Sequence, residues 1–119
     1  MGSFIQDHPM RSVALSISLA GLICSAAPAA LAQEPITITI RNHRFEPAEV
    51  KVPSGKRITV YVVNDDPTPE EFESHPMKVE KVIPGKSKAL VRIGPLAKGR
   101  YEFIGEFNQA TAKGVVIAE

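Results

Sequence analysis

The chain has 119 residues, with 14 basic and 13 acidic side chains, a formal net charge of +1 and one cysteine. Charges this balanced, with no basic stripe interleaved with aromatics, exclude the usual nucleic-acid surface, and no basic amphipathic helix is present to lie on a membrane. A single cysteine permits no internal disulfide.

Val13 to Ile23 is an apolar run behind Arg11, followed by small residues ending Ala30-Leu31-Ala32 before Gln33. That order is the pattern of a secretory signal peptide, and the run is shorter than the roughly 20 apolar residues a bilayer crossing takes. Residues 1–32 are expected to be a cleaved leader, with translation starting at Met10, because Asp7 weakens the positive end upstream of it. Cys24 follows Ile23, where a lipid-attachment site needs a very small residue, so it is expected to leave with the leader. Residues 33–119 then form one domain with no cysteine, hence no thiolate for a metal.

Pro and Gly punctuate this domain at short intervals, from Pro47 through Pro53-Ser54-Gly55, Pro67, Pro69 and Pro84-Gly85 to Gly94-Pro95, Gly99, Gly105 and Gly114. Helices of ordinary length do not fit between such breakers, whereas alternation with period two does. Ile36, Ile38 and Ile40 share one face of Pro35–Arg41. A short strand follows at Glu49–Val52, and Ile58, Val60 and Val62 alternate in Arg57–Asn64. A further strand is expected around Phe72–Val82. Ala89, Val91 and Ile93 line one side of the next, Tyr101 and Phe103 one side of another, and Val115 and Ile117 one side of the last. About seven short strands with turn signals predict an all-β sandwich or barrel.

The phrases FEPAEVKVPSGKRITVYVVND, GPLAKGRYEF and TAKGVVIAE together resemble the cupredoxin-like superfamily, whose fold is a secreted Greek-key β-sandwich. More narrowly, HRFEPAEVKVP, TPEEFES, IGPLAKGRYEF and GEF followed by TAKG are similar to small periplasmic cupredoxin-like proteins linked to bacterial high-affinity iron permeases. The resemblance implies a periplasmic protein and spans the whole of residues 33–119. A blue-copper site needs two imidazoles, a thiolate and a weak axial thioether. Laid on that pattern, the loop GEFNQATAKG puts Gly105 at the thiolate position, Asn108 at the second imidazole and Ala112 at the thioether, leaving His75 as a counterpart for the first imidazole. Blue-copper electron transfer is thereby excluded.

Other donors are present. Along an extended EEFESHPM, side chains alternate faces, so Glu71, Glu73, His75 and Met77 are expected to point one way and Phe72 towards the core. Pro76 marks an edge or a bulge there. The resemblance places the turn bearing His43 at the same end as the ligand loops, with Glu106 contributed by the C-terminal loop. His43, Glu73, His75, Met77 and Glu106 are thus the candidate ligands for a copper or iron ion. The plainer readings stand beside them: His43 as a solvated or capping side chain, Met77 as packing, Glu73 as a hydrogen-bonded structural carboxylate, and Glu70 and Glu71 as loop solvation.

No nucleophile elbow or acid–base motif is present, so enzyme activity is not expected. The resemblance implies a periplasmic metal-binding accessory protein whose partner is a membrane iron permease or another periplasmic protein. A metal-free interaction module and a copper-buffering protein are the alternatives.

Overall fold

The computed structural model describes residues 2, 3, 12, 14, 16–18, 20–27 and 35–119. The chain divides into two compact units, Met1–Leu31 and Ala32–Glu119. In the first, Ile17, Leu22 and Ile23 are exposed and Cys24 is a free, exposed thiol. Among the described residues no helix is long and apolar enough to cross a membrane. The expected start at Met10 and the motif Ala30-Leu31-Ala32 lie outside the described residues.

Among the described residues the second unit is a sandwich of nine strands and one 3-10 turn: β1 (Ile36–Arg41), β2 (Arg44–Glu46), β3 (Glu49–Val52), β4 (Ile58–Asn64), β5 (Glu70–Ser74), β6 (Val79–Ile83), β7 (Ser87–Ile93), β8 (Gly99–Gly105), the 3-10 turn Glu106–Asn108, and β9 (Lys113–Ala118). One sheet has the order β2-β1-β4-β7 and the other β3-β9-β8-β5-β6. β1 runs parallel to β4 and β3 parallel to β9, and the remaining pairings are antiparallel.

Nine strands replace the expected seven for two local reasons. Asn42 and His43 both take left-handed backbone, at φ 53° and 56°, the geometry of a two-residue hairpin turn of the primed type; it folds β2 back on β1. The expected strand over Phe72–Val82 is two strands. Lys78 is left-handed at φ 55°, and its amide donates to the His75 carbonyl at 3.1 Å, closing a turn over 75–78.

The core lies between the sheets. Ile38 and Ile40 from β1, Val60 and Val62 from β4, Val91 and Ile93 from β7, and Phe72, Phe103 and Val116 from the facing sheet are all buried. Phe45, Phe72 and Phe103 meet with ring centroids 4.9–5.8 Å apart, within the range where aromatic pairs attract beyond their buried area. Gly114 is the residue that lets Phe103 in, since a Cβ there would stand 2.2 Å from its Cζ. In β9 Val115 and Ile117 share one side, as expected, and it is the outer one, since Val116 and Ala118 face the core. Val115 and Ile117 pair with Glu102 and Arg100 on the outer face.

Candidate metal-binding face and loop-end cluster

β5 alternates as a strand half in the core should, with Glu70, Phe72 and Ser74 buried and Glu71 and Glu73 turned outward. Glu73 is in register with Glu80 on β6 and Ile104 on β8. His75 Nε2 stands 3.4 Å from Glu73 Oε1; the His75 side chain is 92% exposed and that of Glu73 17%. Ser74 Oγ fixes this turn, donating to the Glu102 carbonyl at 2.7 Å and accepting from the Met77 amide at 3.3 Å. Clefts of about 220 and 200 Å³ flank the Glu73–His75 pair, one towards Lys78 and Glu80, the other towards Pro76 and Ile104.

Carboxyl groups crowd this face in pairs. A hydrogen bond with Glu80, partial desolvation and the charges of Glu80, Glu73 and Glu106 push Glu71 up to about 7. Glu73 is raised too, chiefly by a hydrogen bond with Glu106, while His75 pulls the other way. Two carboxyls can share a hydrogen bond only by holding a proton between them, and a cation would do the same work. Among the described residues, however, no three His, Cys, Asp or Glu side chains are already gathered to hold a metal ion. The donors stand in pairs: Glu73 with His75, Glu73 with Glu106, and Glu71 with Glu80.

Two candidate ligands stand elsewhere. Met77 is 7% exposed and packs in the core, because the turn at 75–78 breaks the alternation that would have aimed it outward. His43 sits in the β1–β2 turn, where the Asp66 carboxylate accepts from the amides of Asn42 and His43 at 2.8 and 2.9 Å. His43 Nδ1 lies 3.6 Å from the same carboxylate, and its carbonyl accepts from Thr111 Oγ1 at 2.6 Å. Its partners are therefore Asp66 and Thr111, not Glu73, His75 or Glu106. Those amide donors, His43 first, hold the Asp66 carboxyl below its ordinary value against the cost of burial.

Glu70, like Met77, lies where its place in the sequence does not suggest. Expected in a solvated loop, it is 1% exposed. Asn64, itself buried, shapes the approach: its Nδ2 donates to the carbonyls of Thr68 and Ile83, and its Oδ1 accepts from the Asp66 amide. Glu70 Oε1 accepts from the amides of Glu71 at 3.0 Å and Phe107 at 2.9 Å, and Oε2 accepts from Asn108 Nδ2 at 2.6 Å. Gly105 and Ala112 close the same spot, joined by a 2.9 Å hydrogen bond from the Gly105 amide to the Ala112 carbonyl. Glu70, rather than His75, thus occupies the interior place opposite Gly105, Asn108 and Ala112. Period two supplied the signal: once Phe72 points inward, so does residue 70.

A family model described as a cupredoxin-like domain matches residues 13–118. An uncharacterised protein of Rickettsia prowazekii is 40% identical over 82 residues, which span 69% of this chain and 66% of that protein's length. Among solved structures, the metal-binding domain of the Streptococcus pneumoniae Cu(I)-exporting P-type ATPase CopA, with Cu(I), has a TM-score of 0.66 at 18% identity, covering 74% of this chain and 91% of that one. Auracyanin A, a blue copper protein of Chloroflexus aurantiacus, has a TM-score of 0.63 at 13% identity, covering 74% and 100%. The purple cupredoxin of Nitrosopumilus maritimus has a TM-score of 0.56 at 19% identity, covering 71% and 99%. At these identities the likeness to solved structures is one of fold.

Proposed function

The chain belongs to the cupredoxin-like domain family, and from that premise we propose that it is a periplasmic accessory protein that binds a copper or iron ion on the outer face of its five-stranded sheet. Glu73 and His75 are the first ligands, with Glu106 as the third and Glu71 and Glu80 adding negative charge. The observation that carries this reading is the position of Glu73, half-turned outward on β5 with the His75 imidazole 3.4 Å from its carboxylate. Carboxylate with imidazole suits Cu(II) and iron; with Met77 buried and no thiolate in residues 33–119, the soft donors Cu(I) prefers are missing. The CopA domain and auracyanin A, which carry copper on this fold, support copper as the ion. The phrases shared with proteins linked to iron permeases support delivery of the ion or an electron to such a permease.

Calorimetric titration of the protein with Cu(II) and with Fe(II) tests the proposal. Binding is expected to weaken at least about tenfold, near 1.4 kcal/mol, in Glu73→Gln/His75→Ala. If neither ion binds the unsubstituted protein more tightly than about 1 mM, the proposal fails. A second reading, a metal-free docking module, is favoured by the donors standing in pairs, with no three of them already gathered among the described residues. Capture of a periplasmic partner that survives Glu73→Gln/His75→Ala and needs no metal would select it.

A further inference from the structure

The interior end of the sandwich, between β5 and the segment 105–112, does not fit the metal that this fold carries elsewhere. A thiolate cannot stand at residue 105: a Cβ there would lie 2.6 Å from the Ala112 Cβ and 2.7 Å from Glu70 Cδ. Nor does Glu70 have a lone carboxylate oxygen aimed at a void. Both its oxygens accept from named donors, and no buried side-chain nitrogen or oxygen among the described residues lacks a partner.

We infer that Glu70 and Asn108 form a latch that holds the 105–112 segment without a metal. A fully buried carboxylate is costly unless every oxygen is hydrogen-bonded, and charge-assisted bonds are roughly twice as strong as neutral ones. Here the charge is met by two backbone amides and one side-chain amide, two of the three from the segment it must hold. Glu70 Oε1 fixes the Phe107 amide at the start of the 3-10 turn, and Oε2 fixes the Asn108 side chain. The Asn108 carbonyl in turn accepts from the amides of Thr111 at 3.1 Å and Ala112 at 2.8 Å. One side chain of β5 thereby orders the whole return to β9. The segment also sets Glu106, next to Phe107, beside Glu73, so the latch positions the outer face while taking no part in binding an ion.

Amide hydrogen exchange at Phe107, in full-length protein treated with chelator, is the test. The unsubstituted protein is expected to be protected there with no metal present. Asn108→Asp sets two carboxylates against each other and is expected to speed Phe107 exchange at least about tenfold, or to prevent folding altogether. The exchanged pair Glu70→Gln/Asn108→Asp keeps every hydrogen bond, with donor and acceptor reversed between the two side chains. The amide oxygen introduced at position 70 still accepts from Phe107, and the amide nitrogen beside it donates to the carboxylate introduced at position 108. The pair is expected to fold and to return exchange to within about threefold of the original. Three results would overturn the inference: unchanged exchange in Asn108→Asp, an exchanged pair no better protected than Asn108→Asp or unable to fold, or protection in the original protein that chelation abolishes and copper restores.

Discussion

Glu71 and Glu73 look outward from β5 with Glu80 and Glu106 beside them, and carboxylates so placed repel unless a proton or a cation lies between them. Glu71 is pushed up to about 7 and Glu73 is raised in the same direction. A carboxyl whose value is higher folded than unfolded holds its proton more tightly when folded. Its stabilisation is complete below the unfolded value of 4.5 and is lost as pH rises through the folded value. Urea unfolding is therefore expected to show a midpoint that falls as pH is raised through about 7. Glu80→Gln, whose amide donates to Glu71 without a shared proton, is expected to flatten that fall; a midpoint that rises over the same window would contradict the carboxyl pairing. Asp66 has the opposite sign. Held low by the amides of His43 and Asn42, it contributes above its unfolded value of 3.8 and loses that contribution as pH falls through its folded value.

At the scale of elements, the turns carry as much information as the strands. The β1–β2 turn places His43 at φ 56°, a conformation glycine adopts at little cost. Among the described residues the imidazole's ionic partner is Asp66. His43→Gly is expected to leave stability within about 1 kcal/mol and metal affinity within about twofold; a tenfold loss of affinity in titration would put His43 back among the ligands. Asp66→Ala removes the acceptor of two turn amides and is expected to cost about 1–3 kcal/mol in denaturant unfolding. Period-two alternation makes β1, β4, β5 and β7 legible, and with them the outward aim of Glu71 and Glu73. Alternation within one strand does not say where the chain reverses. Met77 and the short β2 escape it for that reason, since both depend on left-handed residues at Lys78 and Asn42-His43 that carry no glycine to announce them. Glu70 is aimed inward by the same alternation that buries Phe72, but its charge suggests solvent, and the donors that make its burial tolerable lie 37 and 38 residues away.

For the molecule as a whole, two sheets packed on one aromatic cluster hold both the outer face and the loop end in place. Phe72 lies between Glu71 and Glu73 in the chain and packs on Phe45 and Phe103. Phe72→Ala is expected to cost about 3–5 kcal/mol, read as a lower denaturation midpoint with the slope unchanged. The all-β sandwich can be read from breakers and alternation because both are local. The division of labour between its two ends cannot, because it rests on β5, β6, β8 and the 105–112 segment meeting in space.

The central claim is that an ion is held on the outer face by Glu73 and His75 while the loop end stays closed by Glu70 and Asn108. Pulsed electron paramagnetic resonance of the Cu(II)-loaded protein, recorded beside His75→Ala and His43→Gly, tests it most directly. The account predicts imidazole nitrogen coupling that disappears in His75→Ala and persists in His43→Gly. Coupling that survives His75→Ala, or vanishes with His43→Gly, would contradict it.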